Sequence, residues 1–176
     1  MNTKKMTLSA IFTALICIGA FLRIPIPVVP FTLQTLFVVL SGMLLGWKYG
    51  MLSVAVYVAL GLAGLPVFTS GGGLGYILHP TFGFLLGFLP ASAISGLVTG
   101  RLHHRLSPYI GGLAGVVCMY LVALPYLYLI LTCVMEISIT VPVLFTSYCL
   151  IFLPGDIVSV GIASLLYKRL SRLVDR

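Results

Sequence analysis

The stretch TFGFLLGFLPASAISGLVTG, Thr81–Gly100, contains no charged residue. A helix needs about 20 predominantly apolar residues to cross the hydrocarbon core of a bilayer, and this stretch has that length. A basic hinge follows it directly and contains Arg101, His103, His104 and Arg105. Clustered basic residues are typical of the cytoplasmic border of a membrane span. We therefore interpret Thr81–Gly100 as a transmembrane helix.

The whole chain shares this apolar character. Of its 176 residues, 60% are hydrophobic and only 7% are charged, with a mean hydropathy of +1.19. A soluble domain carries about 25% charged residues, so this chain has too few charges to cover a water-facing surface. The composition excludes a soluble domain, a disordered chain and a nucleic-acid-binding role, despite the net charge of +7. We expect an all-α integral membrane protein with a single domain over residues 1–176.

Charged, Pro-rich and Gly-rich breaks divide the rest of the chain into further spans. The other predicted spans are Met6–Leu22, Thr32–Gly46, Met51–Phe68, a segment from Pro108 to just before Glu136, and a last span that ends near Tyr167. Two irregular connections separate the early spans: the Pro-rich loop Arg23–Phe31 and the Gly-rich loop Thr69–Pro80. The first apolar run resembles a signal peptide, but further spans follow it, so we interpret it as a transmembrane helix.

The stretch from Ile137 to Tyr167 is too long for one straight span. As a continuous helix it would measure about 46 Å, against a hydrocarbon core of about 30 Å. It can form two short spans, or one interfacial segment followed by one span. The excess of basic residues on cytoplasmic loops decides between six and seven spans, because six spans leave only Arg23 of the ten basic residues outside. We predict six transmembrane helices in the plasma membrane, with both termini in the cytoplasm.

Six spans place three irregular connections on the outer side of the membrane, at 23–31, 69–80 and 136–153. Long structured loops on one side of a small bundle suggest a ligand mouth or lid. The alternative is that they are plain extracellular connections.

Asp156, in LPGDIV, is an acidic residue inside a predicted span. It precedes Lys168, at the inner end of that span, by about 18 Å of helix, so it lies in the outer half of the membrane. A charge at this depth costs several kcal/mol unless it has a partner or a polar cavity. Pro154 and Gly155 suggest that a helix begins here, where its dipole stabilises a carboxylate. The carboxylate is satisfied either by that helix end and nearby hydroxyls or by a ligand, and we favour the ligand.

Other polar residues are weaker candidates for a binding site. Gln34 can donate and accept hydrogen bonds, or can simply face interfacial water, and His79 lies in a loop where a histidine is usually solvated. Four tyrosines can line an outer pocket or belong to the interfacial aromatic belt: Tyr76, Tyr120, Tyr126 and Tyr148. Ala10 and Ala14 have the spacing that lets another membrane helix approach closely.

Catalytic and metal-binding signatures are absent from the sequence. SGGGLG is not followed by the GK[ST] of a P-loop, there is no HExxH or GxSxG motif, and the four cysteines show no CxxC spacing. We expect no catalytic residue and no metal, and energy for uphill transport would come from a partner or an ion gradient.

Three segments together resemble the BioY family: PVVPFTLQTLFVVLSGMLLG at Pro27–Gly46, GLAGLPVFTSGGGLGYILHPTFGFLLGF at Gly61–Phe88, and LPGD at Leu153–Asp156. Members are biotin-binding membrane subunits, called S components, of energy-coupling factor (ECF) transporters. The resemblance implies a six-helix S component that captures biotin from outside. It also implies a transmembrane coupling subunit and a pair of cytosolic ATPases as partners, with ATP used by the ATPases and no cofactor in this chain.

The resemblance also assigns roles to particular residues. Ala10 and Ala14 match the small-residue face that contacts the coupling subunit, Asp156 matches the acid of the pocket, and His79 falls at or near a polar loop position. The family motif usually reads LPGDxxK, whereas here Ser159 stands in place of the lysine. This departure keeps a related cargo, such as lipoate or a biotin precursor, open.

Biotin suits this inventory, because its ureido N–H groups can donate to a carboxylate and its apolar ring and chain can pack against aromatic side chains. The predicted ligand contacts are Asp156, His79, Gln34, Phe31, Tyr76, Phe82, Tyr148 and Ser159. Two other functions remain open at this point: a small intramembrane enzyme that uses Asp156 and His79, and a structural membrane subunit without a ligand.

Overall fold

The computed structural model describes residues 3–24, 28–102 and 104–174, and this part of the chain is mainly helical. In chain order its elements are α1 (Thr3–Phe21), β1 (Arg23–Ile24), β2 (Phe31–Thr32), α2 (Gln34–Leu62), a 3₁₀ helix (Leu74–Leu78), α3 (Phe82–Arg101), α4 (Ser107–Leu129), a π-helical turn (Ile130–Val134), α5 (Val141–Phe145), a second π-helical turn (Thr146–Leu150) and α6 (Leu153–Val174). The hinge residue His103, loop residues 25–27 and the terminal Arg176 lie outside the described residues.

Five helical segments of the described chain are long and apolar enough to cross a membrane. They are Thr3–Phe21, Gln34–Leu62, Phe82–Arg101, Ser107–Val134 and Val141–Arg172. The predicted span Thr81–Gly100 matches α3 to within one residue at each end. The chain is therefore a multi-pass helical membrane protein.

Helix α2 turns back on itself in the middle. Gly46 has φ 79° and ψ 169°, which is not helical geometry, and a Cβ on Gly50 would lie 2.6 Å from the Cα of Gly42. Residues eight positions apart in a straight helix are separated by about 12 Å, so α2 consists of two arms, 34–45 and 47–62, that lie side by side. The predicted end of the third span at Phe68 is wrong, because the second arm ends at Leu62.

Short polar side chains hold α1 against the second arm of α2. The hydroxyl of Ser9 donates to the carbonyl of Tyr49 at 3.1 Å, and one turn later Thr13 donates to the carbonyl of Ser53 at 2.9 Å. Ala10 and Ala14 lie on the exposed side of α1. The small-residue face predicted on this helix is therefore open to the surroundings of the bundle.

The irregular connections meet at one end of the bundle. Strands β1 and β2 pair antiparallel, with Arg23 opposite Thr32. The guanidinium of Arg23 donates to the carbonyl of Thr69, which joins the first connection to the second. The ring of Phe31 stacks with Phe152 at a centroid distance of 6.3 Å, which joins the first connection to the start of α6. These contacts close the end of the bundle at which Asp156 lies.

Candidate functional site

A cavity of about 50 Å³ lies inside the bundle beneath these connections. The lining comes from the first arm of α2, from α3, α4 and α6, from the first two irregular connections, and from Phe152 just before α6. The lining residues are Val29, Pro30, Phe31, Thr32, Gln34, Thr35, Thr69, Thr81, Phe84, Leu85, Phe88, Met119, Tyr120, Phe152 and Asp156. A mainly apolar lining with a few convergent polar groups is the usual construction of a small-molecule site.

Asp156 supplies the carboxylate of this cavity. It lies in the first turn of α6 and is 3% exposed. The hydroxyl of Tyr120 donates to one carboxylate oxygen, and the side chain of Thr35 also hydrogen-bonds with this carboxyl group. No basic side chain belongs to the described lining. The carboxylate is thus held by two hydroxyl groups in a mainly apolar cavity.

Aromatic rings form the walls around this carboxylate. Phe31 and Phe152 are stacked with an interplanar angle of 15°, and Phe84 meets Tyr120 edge to face at 6.2 Å. The ring of Phe31 packs against the backbone of Gly155, where a Cβ would lie 2.5 Å from the ring. These rings offer flat apolar surfaces next to one polar group, an arrangement that suits a small ligand with a polar end and an apolar body.

Gln34 is fixed by hydrogen bonds between the two arms of α2. Its Nε2 donates to the hydroxyl of Tyr57 at 2.7 Å, and this hydroxyl donates in turn to the carbonyl of Val67 at 3.3 Å. The hydroxyl of Thr32 donates to Oε1 of Gln34 at 3.3 Å. Gln34 is 2% exposed, so it is a buried residue of the cavity wall and not an interfacial residue in contact with water.

A chain of hydroxyl groups organises the Gly-rich connection. The hydroxyl of Tyr76 is 2.8 Å from the hydroxyl of Thr69 and 2.8 Å from that of Thr81. Nδ1 of His79 is also 2.8 Å from the Thr81 hydroxyl, and its ring stacks on Tyr76 at 4.7 Å. Both threonines line the cavity, whereas Tyr76 and His79 lie one hydrogen bond behind them.

The predicted ligand contacts fall into two groups in the structure. Three of them, Asp156, Gln34 and Phe31, line the cavity together. The described lining does not include Tyr76, His79, Phe82, Tyr148 or Ser159. Ser159 is 2% exposed and follows Asp156 by three positions on α6, almost one helical turn further along the same helix.

Several lining residues were not predicted, and a helical pattern identifies some of them. Thr81, Phe84, Leu85 and Phe88 line the cavity from one face of α3, with the i, i+3, i+4 and i+7 spacing of a single helix face. Phe82 is one position away from this face and packs against Tyr126 at 5.9 Å. If this spacing had been applied from Thr81, the predicted ligand contacts would have included Phe84 and Phe88 in place of Phe82.

Partial burial lowers the pKa of His79 below its ordinary value, which is about 6.5. As the pH falls, the unfolded chain therefore protonates at this residue before the folded one does. The contribution of His79 to stability is fully present above about pH 6.5 and is lost as the pH drops through this value toward the folded pKa. We expect the melting temperature of the wild-type protein to fall more between pH 7 and pH 5 than that of His79→Gln. Thermal unfolding over this pH range measures the difference.

The exposed His104 provides the matched control for this experiment, because His104→Gln removes an imidazole without touching the hydroxyl chain. The melting temperature of His104→Gln should fall between pH 7 and pH 5 as much as that of the wild type. If the melting temperatures of the wild type and His79→Gln fell equally between pH 7 and pH 5, the role assigned to burial of His79 would be contradicted.

A helical membrane bundle that encloses a carboxylate in a cavity with aromatic walls has the architecture of a ligand-binding membrane protein. Comparison of the sequence with known families makes this class specific. The family model described as the BioY family matches residues 1–176, and the chain belongs to this family.

Relatives with curated names support this assignment along most of the chain. A probable biotin transporter BioY of Lysinibacillus sphaericus is 46% identical over 132 residues, which cover 74% of this chain and 67% of the relative. The biotin transporter BioY of Rhodobacter capsulatus is 35% identical over 178 aligned positions, which cover 96% of this chain and 94% of the relative.

A solved structure has the same fold. The crystal structure of the S-component for biotin from an ECF-type ABC transporter superposes on this chain with a TM-score of 0.80 and 32% sequence identity. The match covers 97% of this chain and 92% of the solved one. The likeness therefore extends over nearly the whole bundle.

Proposed function

We propose that this chain is the S component of an ECF-type ABC transporter and that it binds biotin in the cavity around Asp156. It is a transporter subunit and not an enzyme. The observation that carries the proposal is the placement of a buried carboxylate against aromatic walls, in a chain of the BioY family whose fold matches a biotin S-component.

The chemistry of biotin fits the groups of the cavity. A ureido N–H of its fused ring donates to Asp156, which accepts hydrogen bonds from Tyr120 and Thr35 and has capacity for more. The sulfur-containing ring packs between Phe31 and Phe84, two walls of the cavity. The amide of Gln34, fixed by Tyr57, offers its second N–H to the ureido carbonyl. One ureido N–H and the ureido carbonyl then each have a partner of complementary type.

Entry of the ligand requires the irregular connections to move. The cavity volume of about 50 Å³ is well below the roughly 300 Å³ at which ligand pockets usually begin. The contacts that close the cavity are few and separable: the Arg23–Thr69 hydrogen bond and the stack of Phe31 on Phe152. Opening of these contacts would admit biotin from the outer side and their closure would hold it.

Energy for uptake would come from partner subunits. We propose a transmembrane coupling subunit that contacts the exposed Ala10 and Ala14 on α1, and a pair of cytosolic ATPases that hydrolyse ATP. Two small side chains one helical turn apart allow a partner helix to approach closely.

Uptake of labelled biotin into proteoliposomes tests this function. We expect ATP-dependent accumulation when the chain is reconstituted with a coupling subunit and ATPases. A variant with Ala10→Leu and Ala14→Leu should still bind biotin but should lose uptake, because the larger side chains prevent close approach. Accumulation without ATP would contradict the ECF assignment, and uptake by the double variant at the wild-type rate would contradict the role of α1.

We propose six transmembrane helices, with the two arms of α2 as separate spans and both termini in the cytoplasm. The return of the chain at Gly46 supports this count, since Gly42 and Gly50 lie in contact across the turn. Lys48, at the turn, then lies on the cytoplasmic side with the basic ends of α3 and α6, in agreement with the positive-inside rule. Leu74, in the Gly-rich connection, lies on the outer side.

Labelling of single cysteines in intact cells tests this topology. In a variant without Cys17, Cys118, Cys133 and Cys149, a membrane-impermeant maleimide should label Leu74→Cys from outside and should label Lys48→Cys only after the membrane is opened. Both positions are exposed on the protein, so access depends on the side of the membrane. Labelling of Lys48→Cys from outside would contradict the proposed orientation.

A second cargo is favoured by one observation. Ser159 stands where the resemblance predicts a lysine, and the described cavity lining holds no cation beside Asp156. Lipoate and biotin precursors share the apolar chain and carboxylate of biotin, and they remain the alternative cargo. Competition of unlabelled lipoate with labelled biotin distinguishes the two: biotin transport predicts no displacement by lipoate at equimolar concentration.

A further inference from the structure

A second cleft lies at the end of the bundle away from Asp156, about 18 Å further along α6. Its volume is about 490 Å³. It lies between the beginning of α4 and the last turns of α6, and its walls include His104, Arg105, Ser107, Lys168, Ser171 and Arg172.

Positive charge dominates this cleft. Arg105, Lys168 and Arg172 all line it. Glu136 and Asp156, the acidic residues within the described chain, do not line it. Basic pockets between helices at the cytoplasmic border of a membrane attract anionic headgroups. The charge of this cleft therefore favours an anion.

Two further groups give the cleft directional donors. The backbone N–H of Leu106 donates to Nδ1 of His104 at 3.2 Å, so the proton of the neutral imidazole lies on Nε2, which is a donor. Ser107 is the first residue of the 23-residue helix α4, and the dipole of a helix favours anions at its N-terminus. Lys168 is positioned over the ring of Tyr109 at 4.7 Å. Cations and donors on two sides of a cleft are suited to the oxygens of a phosphate group.

Apolar side chains next to the cleft indicate where this phosphate comes from. Leu106, just before α4, Ile110 on α4 and Leu165 on α6 are 52%, 47% and 58% exposed. They lie within one or two turns of the basic residues and would face the acyl region of a bilayer. A free phosphate ion would contact none of them, whereas a phospholipid would place its headgroup in the cleft and its acyl chains along these residues.

We propose that the cleft between α4 and α6 binds the phosphate headgroup of an anionic phospholipid. The lipid bridges the two helices, with Arg105 on one side and Lys168 and Arg172 on the other. Basic residues at a span end also have simpler roles, since they set topology and stabilise the C-terminus of α6. Those roles require positive charge at the border of the membrane but no defined lipid in the cleft. Two variants that lose the same charge, one inside and one outside the cleft, therefore distinguish lipid binding from those roles.

Native mass spectrometry of the full-length protein, purified in detergent with equimolar phosphatidylglycerol and phosphatidylcholine, tests the proposal. The cleft variant carries Arg105→Gln, Lys168→Gln and Arg172→Gln. The matched control carries Lys48→Gln, Arg101→Gln and Arg169→Gln, which removes the same charge from exposed positions outside the cleft.

We expect wild type and control to retain phosphatidylglycerol in preference to phosphatidylcholine, and the cleft variant to retain about tenfold less, because each basic residue near an anionic headgroup contributes to binding. Arg105→Gln alone should change retention in the same direction, which keeps the test valid if the triple variant is unstable. Three results would overturn the proposal: an equal loss of phosphatidylglycerol in the control variant, equal retention of the two lipids, or no retention of phosphatidylglycerol by the wild type. Displacement of the lipid by millimolar inorganic phosphate would show a free phosphate site instead and would also overturn it.

Discussion

Replacement of Asp156 by asparagine is expected to weaken biotin binding at least tenfold, or by about 1.4 kcal/mol. The carboxylate presents two acceptor oxygens; one accepts from Tyr120, and Thr35 also donates to the carboxyl group. Asparagine keeps one acceptor and replaces the other with an N–H₂ donor. If its oxygen remains with Tyr120, a donor faces the ureido N–H of the ligand. Hydrogen bonds to a charged group contribute about 1.5–3 kcal/mol, so loss of this bond alone accounts for the expected change.

Titration of the purified variant with labelled biotin measures this effect. Glu136→Gln is the matched control, because it also removes one carboxylate, from a residue outside the cavity lining, and should keep wild-type affinity. The melting temperature of each variant separates lost binding from lost folding. Unchanged affinity in Asp156→Asn would show that this carboxylate does not contact the ligand.

Gly42→Ala is expected to destabilise the bundle by about 3 kcal/mol or more, at the upper end of the cost of overpacking. The two arms of α2 and helix α3 meet at this glycine. A Cβ at Gly42 would lie 2.0 Å from the carbonyl oxygen of Ser92 and 2.3 Å from the hydroxyl oxygen of Ser95. The first of these atoms belongs to the backbone, so no change of rotamer relieves the clash and the helices must separate.

Thermal unfolding in detergent measures this loss, with Gly161→Ala as the control. A Cβ at Gly161, inside α6, meets nothing within 4 Å. There the change should leave stability unaltered or increase it by up to about 1 kcal/mol, since alanine is the better helix former. Equal melting temperatures for the two variants would contradict the close packing of α2 against α3.

The membrane spans were predictable because apolar length leaves a strong pattern in the chain. Thr81–Gly100 is free of charge and ends at Arg101, and helix α3 ends at the same place. That Asp156 needs polar partners inside the bundle was predictable for the same reason, since a carboxylate among apolar residues is costly without them; its role as a ligand contact stays a prediction. Both inferences depend on the cost of charge in a bilayer, which local sequence reports well.

The turn within α2 was harder to place. Gly46 was predicted as the end of a span. The reversal of the chain there depends on the positive φ of this one residue, and the apolar residues around it give no sign of a turn. The helical end at Leu62 was missed because residues 63–68 are apolar, while Gly64, with φ 105°, and Pro66 interrupt the helix. Hydropathy alone does not distinguish apolar helix from apolar turn.

The details of the site depend on which helix faces meet, and hydropathy does not specify this. Thr35 and Met119 carry no signal of their own and enter the cavity because the first arm of α2 and helix α4 present these faces to α6. Tyr76 and His79 have the polar groups expected of ligand contacts, yet they serve the hydroxyl chain behind Thr81. Such partners lie far apart in the chain and become visible only in the folded protein.

Binding of biotin by the purified wild-type protein is the most direct test of the central claim. Titration calorimetry with biotin, and in parallel with lipoate, measures affinity and stoichiometry without any partner subunit. The structure and the family predict saturable binding of one biotin per chain and no saturable binding of lipoate. Absence of biotin binding, or tighter binding of lipoate, would contradict the assignment of this cavity to biotin.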